Sequence, residues 1–448
     1  MIFRTKNIIR SLFTLAESSL KQTTKLPPIF STKMEGTKPF KKEKYDGRTK
    51  KRQWEDRRTD KGEGLQIKSD DPKKVKVEND QTEKVVDKVK RRKFALLMGY
   101  SGAEYYGMQR NPNTRTIEED LFKALLKTEL INEECYTQVQ NMQFQRAART
   151  DKGVSAVRQI VSLKLGENID LAKINAELPD VIRVFAFKRV TKGFNSKSQC
   201  DGRTYIYVLP TIAFAPKDKN VNQKEFRLDD ETFDKINELL KHFTGTKNFH
   251  NYTSKKKQND PSANRYMKSF ICEKPFVKNE VEFAVLKVHG QSFMMHQIRK
   301  MVGCLLAVVR GSANEEVMLN SFKAEKISIP RAPGLGLVLE YVHYPRYNYR
   351  YGEDGMHEKL TWEDVEDQVN EFKEKFIFPT IIDKEIQEEQ MLYWIHNKLS
   401  RHSYDQEEEN ESEDEGAGDD EEIIENVKKP EEDSSSDSKN KVESIEKS

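Results

Sequence analysis

Charge is distributed so unevenly along these 448 residues that only the middle of the chain can build a core. Residues 1–93 carry 27 Lys and Arg against 14 Asp and Glu, whereas Asp405 to Ser448 carry 19 acidic residues against 5 basic ones. Such segments bury too little apolar surface to offset the entropy of ordering them, so both ends are expected to stay solvated. Between them the chain is close to neutral, and apolar residues recur at helix and strand spacings. The expected layout is a basic arm, a core and an acidic, disordered tail from 405 to 448.

No run of about 18 apolar residues occurs, which excludes a membrane-spanning helix. Cys135, Cys200, Cys272 and Cys304 are too scattered for CxxC pairing, so they read as free thiols in a reducing compartment and hold no metal.

Residues 1–34 contain six basic residues and one acid, Glu17, with Ile2, Phe3, Ile8, Ile9, Leu12 and Phe13 interspersed. That is the composition of a mitochondrial transit segment. The basic arm, 35–93, begins just after Met34 and carries Lys41, Lys42, Lys44 and Arg48 to Arg52, a pattern of nuclear localisation or nonspecific nucleic-acid contact. Initiation at Met34 would delete the first signal and keep the second. The expected localisation is therefore mitochondrion and nucleus.

From Phe94 the pattern is globular. Strands are expected at 94–98, 159–165, 181–187, 203–209, 266–272 and 281–289. Thr116 and Glu119 have the spacing of a capping box, opening a helix that buries Ile117, Leu121, Ala124 and Leu125. Further helices are expected from Leu171 to near Pro179, from Asp230 to Phe243, from Phe293 to Arg310 with Gly311 as its stop, and from Trp362 to Phe376. Strands and helices alternate without a doubly wound rhythm, so the fold class is α+β. Two similar halves, 94–215 and 216–345, share one mostly antiparallel sheet with flanking helices, and 346–404 form a helical extension.

One stretch is chemically distinctive: Arg146-Ala-Ala-Arg149-Thr150-Asp151-Lys152-Gly153-Val154-Ser155-Ala156. A carboxylate flanked by arginines and followed by Gly sits in a turn where backbone groups and a guanidinium can aim it. The stretch resembles the catalytic loop of the TruA family of tRNA pseudouridine synthases, Arg-Thr-Asp-x-Gly-Val-His/Ser-Ala. Other stretches follow in the family's order. Gly99-Tyr100-Ser101-Gly102 with Tyr105-Tyr106-Gly107-Met108-Gln109-Arg110 is similar to its first strand and loop, with Met108 in place of Trp and Ser101 in place of Asp. Phe194 to Lys197 and Arg203-Thr-Tyr205-Ile-Tyr207 resemble the strand that carries its active-site tyrosine. Gly245 to Thr253, Gly290 to Gly303 and Ala332 to Leu337 complete the set. The wording of several of these stretches is similar to the eukaryotic branch of the family, tRNA pseudouridine synthase 1.

The resemblance implies a pseudouridine synthase fold and isomerisation of uridine to pseudouridine in the anticodon stem of tRNA at positions 27 and 28, and in other structured RNAs, without cofactor or metal. It also implies a monomer. The reaction breaks the C1′–N1 bond, turns the uracil and forms C1′–C5. It needs a carboxylate near the ribose, a base for the C5 proton and a gripped ring. Asp151 would supply the carboxylate, either as nucleophile or by deprotonating the sugar. Arg149, two residues earlier in an extended segment, would lie on the same side and pair with Asp151 or a phosphate. Tyr205 would stack on the uracil. A stem uridine must be extruded before it reacts, so RNA contacts are needed elsewhere. The candidates are Arg110, Lys197, Arg203, Met294, His296, Arg299 and Lys300, with Lys247 and Lys255 to Lys257 adding cationic charge. Two alternatives remain open at this point: the same enzyme acting at positions 38–40, and an RNA-binding folding factor without catalysis.

Overall fold

The computed structural model describes residues 91–219, 221–254 and 256–404. The leader, nearly all of the basic arm, Lys255 and the acidic tail lie outside the described residues, which all belong to one unit, 85–448. Among them, ten strands form one sheet: β1 (Arg92–Tyr100), β2 (Gln145–Arg146), β3 (Ser155–Leu165), β4 (Ile182–Arg189), β5 (Gly202–Pro210), β6 (Gly245–Asn248), β7 (Asn264–Cys272), β8 (Phe276–Lys278), β9 (Val281–Gly290) and β10 (Leu337–His343). The order across the sheet is β4-β1-β3-β10-β5-β9-β7-β6, with β2 on β3 and β8 on β9. Every ladder is antiparallel except β3 with β10. This is the α+β architecture the sequence predicts, and the six expected strands appear within a few residues of their predicted ends.

The near-continuous apolar run Phe94-Ala-Leu-Leu-Met98 is buried throughout, as a strand covered on both faces requires. Strand β10 carries no such signal. It follows a Pro-Gly-Leu-Gly loop, and Glu340 interrupts its apolar residues where the β5 ladder shifts register between Leu339 and Tyr341. Yet it is the centre of the fold. The late strand enters between β3 and β5 and joins the two halves of the sheet, and β5, placed before the half boundary at 215, pairs with β9 and β10 on the C-terminal side.

Helices α1 (Ile117–Lys127), α2 (Asp230–Lys241) and α3 (Gln297–Val309) flank the sheet with the predicted apolar stripes inward. Each fully buried Leu, Ile or Met on them contributes about 1.5–3 kcal/mol. The capping box at α1 does not form. Thr116 is the N-cap but its side chain caps nothing, and the Glu119 carboxylate that would complete the box is drawn away to Arg110 and to the Tyr136 hydroxyl. Helix α3 begins at Gln297, four residues later than predicted, and turns over at Gly311, whose φ of 75° suits only glycine comfortably. Inside α3 Gly303 has a different purpose: a Cβ there would meet the Pro330 carbonyl oxygen at 2.0 Å. Its absence lets the segment through Ala332 lie against the helix.

The extension departs from the single helix predicted over 362–376. After a short turn at Glu363–Val365 comes α4 (Glu366–Phe372), which passes through a wide π turn at Lys373–Ile377 into α5 (Phe378–Glu388) and α6 (Gln390–Asn397). Pro379 explains the wide turn, since it cannot donate to the carbonyl four residues back. Among the described residues no helix is long and apolar enough to cross a membrane.

Candidate active site

The loop carrying Asp151 joins β2 to β3, and most of what holds it comes from the stretches that accompany it in sequence. Arg146 at its start is ion-paired with buried Glu118. The Gln159 side chain clasps the Ala148 backbone, accepting from its N–H at 3.2 Å and donating to its carbonyl at 2.9 Å. Thr150 turns inward and shares a 2.8 Å hydrogen bond with the Tyr100 hydroxyl, which burial pushes up to about 12 and so keeps protonated. The Met108 N–H donates to the Thr150 carbonyl at 3.2 Å, and Gly153 N–H donates to the Tyr105 carbonyl at 3.1 Å. Two glycines permit this approach: a Cβ on Gly102 would meet the Val154 carbonyl at 2.2 Å, and one on Gly107 would meet the Thr150 carbonyl at 2.8 Å. Met108 and Ser101, the two departures from the resembled pattern, are both buried. The Met108 sulfur accepts from Gln159 at 3.0 Å, which makes it part of the loop's support.

Because Thr150 points in, its neighbours Arg149 and Asp151 point out, as alternation in an extended segment requires. Arg149 is exposed and joins no ion pair with Asp151 among the described residues. The Asp151 carboxylate lies 3.9 Å from His296 Nε2. His296 is buried, precedes α3, and holds a left-handed φ of 61° that a non-glycine residue adopts only at a cost of about 1–3 kcal/mol. An Arg331 guanidinium nitrogen sits 3.3 and 3.4 Å from its two ring nitrogens. Sequence reasoning passed over Arg331, although it directly precedes the Ala332 to Leu337 stretch.

Tyr205 lies in β5 between Leu339 of β10 and Val288 of β9. Its ring meets Phe293 edge to face at 5.2 Å. Burial raises the hydroxyl well above the ordinary tyrosine value; Arg203 opposes the rise, and the Asp151 charge adds to it. The hydroxyl therefore keeps its proton at neutral pH. Phe293, named from sequence only as the start of a helix, thus packs against the Tyr205 ring.

The predicted RNA contacts divide. Lys197 is exposed. Met294 is half-buried against the core, between Phe293 and the exposed Met295. Arg203 donates twice to the Ala147 carbonyl, at 2.6 and 3.0 Å, and once to the Gln291 carbonyl at 3.2 Å, so it braces the catalytic loop. Arg299 donates to the Ala332 carbonyl at 2.7 Å and lies against Gly334, whose Cβ position faces the Lys152 carbonyl at 3.4 Å. Arg110 pairs with Glu119 at 2.5 Å and donates to the Tyr136 carbonyl. Lys300 requires correction as a phosphate contact: its place on α3 turns it into the protein, where it is 1 % exposed. His296 lies before α3 and Lys300 points inside, so the three candidates His296, Arg299 and Lys300 do not share one face.

The chain has relatives among known proteins. A family profile described as tRNA pseudouridine synthase matches residues 239–345, which include Phe293, His296 and the Ala332 to Leu337 loop. The chain is 52% identical over 328 residues to a mouse protein named pseudouridylate synthase 1 homolog, covering 72% of this chain and 77% of that one. It is 54% identical over 304 residues to the human protein of the same name, covering 67% and 71%. A tRNA pseudouridine synthase 1 from Yarrowia lipolytica is 33% identical over 391 residues, covering 67% and 73%.

Proposed function

This chain belongs to the tRNA pseudouridine synthase family and is an RNA pseudouridine synthase, and from that premise we propose that it isomerises uridines 27 and 28 of the tRNA anticodon stem through Asp151. The observation that supports the role of Asp151 is its setting: an outward-facing carboxylate in a loop clamped from both sides, 3.9 Å from His296. The loop's hydrogen bonds run through Thr150, Gly153 and Ala148, which leaves the carboxylate itself for substrate. A fixed donor geometry of this kind lowers the cost of placing the reacting group.

The residues around it take complementary roles. Tyr205 offers a ring face set by Phe293 to an extruded uracil, and its protonated hydroxyl stands near the position where C5 is deprotonated. Arg149 offers an exposed guanidinium to a phosphate flanking the target, and Lys197 a second cation. Extruding the base from a stem costs a few kcal/mol, which such phosphate contacts offset. Tyr205→Phe should retain tRNA affinity and melting temperature while slowing turnover. Poor binding together with early melting would instead make Tyr205 a packing residue, and single-turnover kinetics with thermal melts separates the two. The target position is tested by incubating the protein with a transcribed tRNA and mapping carbodiimide-dependent reverse-transcription stops. Stops at 27 and 28 are expected; stops confined to 38–40 would move the target to the other end of the stem.

Two addresses are proposed for the same activity. A product starting at Met1 is directed to mitochondria by the acid-poor leader, and one starting at Met34 to the nucleus by the basic patch between Lys41 and Arg52. Imaging of two start-restricted reporters checks this, and identical distributions would refute it.

A further inference from the structure

A cleft of about 360 Å³ opens at the ends of β5, β7, β9 and β10, outside the site described above. Strand pairing places it. His343 pairs with Gly202 and His289 with Thr204, whereas Tyr205 pairs with Leu339 and Val288. Since side chains alternate along a strand, both histidines lie on the sheet face turned away from Tyr205. They stack at 4.4 Å between centroids, and His343 Nε2 is hydrogen-bonded to the Thr204 hydroxyl at 2.8 Å. Burial, with the neighbouring His289 and Lys268, lowers the His343 value to about 4, so its imidazole is neutral at physiological pH. The positive charges of the cleft are then Lys268, exposed and in no ion pair among the described residues, and Arg346. Asp201 is the opposing charge, 2.7 Å from Arg346.

Tyr266 forms part of the cleft wall with nearly half of its surface exposed. The short helix Pro345–Tyr351 continues the pattern outward. Arg346, Tyr349 and Arg350, at i, i+3 and i+4, share its exposed face, and Tyr349 is 94 % exposed. The described part of the chain gives that ring no packing partner. Aromatic faces alternating with cations are the chemistry that holds unpaired nucleotides: bases stack on the rings while Lys and Arg take the phosphates.

We infer that this cleft and the Arg346–Arg350 helix face form a second RNA-binding surface, which holds unpaired nucleotides of the substrate apart from the uridine being isomerised. The inference rests on the chain's reading as an RNA-modifying enzyme. The surface is linked to the catalytic loop through Arg203, which donates both to the carbonyl of Gln291 on the cleft wall and to that of Ala147 at the loop's start. The exposed Lys197 stands beside this link, its carbonyl accepting from Arg203 at 3.4 Å.

The test uses two double variants of the full chain, Tyr266→Ala with Lys268→Glu and Tyr349→Ala with Arg350→Glu, all four positions being exposed. Binding of a transcribed tRNA is measured by anisotropy over a salt series, with turnover at saturating tRNA beside it. Each variant should keep the native melting temperature and saturating rate while binding about 5- to 100-fold more weakly. The slope of log affinity against log salt should flatten by about 0.7–0.9 for each phosphate that the variant no longer neutralises. Native affinity and slope in both variants would overturn the inference, as would a fall in saturating rate without a change in affinity. A failure of the native protein to form pseudouridine in the same transcript would sink the target assignment instead, and the binding comparison would still stand.

Discussion

Asp151→Asn should abolish pseudouridine formation while leaving the melting temperature and tRNA affinity close to native. Asparagine fills the same volume, and the bonds that hold the loop belong to neighbours: Thr150 to Tyr100, Gly153 to Tyr105 and Ala148 to Gln159. The fold therefore does not depend on the carboxylate. Affinity for a polyanion does not depend on it either, since a carboxylate opposes phosphate. The loss in turnover should exceed the ~10²–10⁴ assigned to acid–base assistance alone if the group also attacks the sugar, because an amide can neither take a proton nor form the bond. Tritium release from C5-labelled uridine in tRNA, measured in single turnover, gives the factor. A variant that turns over at the native rate would remove Asp151 from the chemistry, and one that melts early would make it structural.

The sequence was most legible where one residue type answers one physical need. Strand β1 is recognisable because only a strand covered on both faces is apolar at successive residues, and the end of α3 because Gly311 must take a positive φ. The catalytic loop was legible for a similar reason. Gly102 and Gly107 are glycines because the loop's backbone passes where a Cβ would be, so the separate stretches constrain one another. What escaped depends on tertiary context. Glu119 has the capping-box spacing and Arg110 is free in sequence, but folding brings them together and the cap does not form. Lys300 reads as an RNA contact in sequence and is buried because α3 is packed along most of its length. Arg331 has no local signature, since its partner His296 is 35 residues away. Strand β10 was hidden because the residue that breaks its apolar pattern, Glu340, answers to charges that arrive from β3 and from the extension.

That charge cluster carries the second large effect. Glu340 lies 3.3 Å from Arg158 of β3 and 3.0 Å from Lys373 in the π turn, and Arg158 also reaches Glu366 of α4 at 2.5 Å. The β3–β10 seam has only two residue pairs in register, Val338 with Ser155 and Leu339 with Ala156, so these bonds tie it to the extension. Burial would push the Glu340 carboxyl up, but Lys373 and Arg158 outweigh it and hold the group below its ordinary value. A carboxyl depressed on folding stabilises the native state above its unfolded value, and that contribution is lost as pH falls through the folded one. Glu340→Ala, which takes the carboxylate from Lys373 and leaves Arg158 with Glu366 alone, should cost about 3–5 kcal/mol. At roughly 2–4 °C per kcal/mol, the melting temperature at neutral pH should fall by about 6–20 °C. Glu340→Gln should fall less and should lack part of the acid-induced loss of stability that the native protein shows. Replacing Arg158, Glu340 and Lys373 together by Met, Leu and Met should restore most of the stability, because no buried charge then remains unpaired. Native melting of Glu340→Ala would show that the seam holds without the cluster, and a triple variant no better than the single one would show that volume, and not charge, is what the site requires.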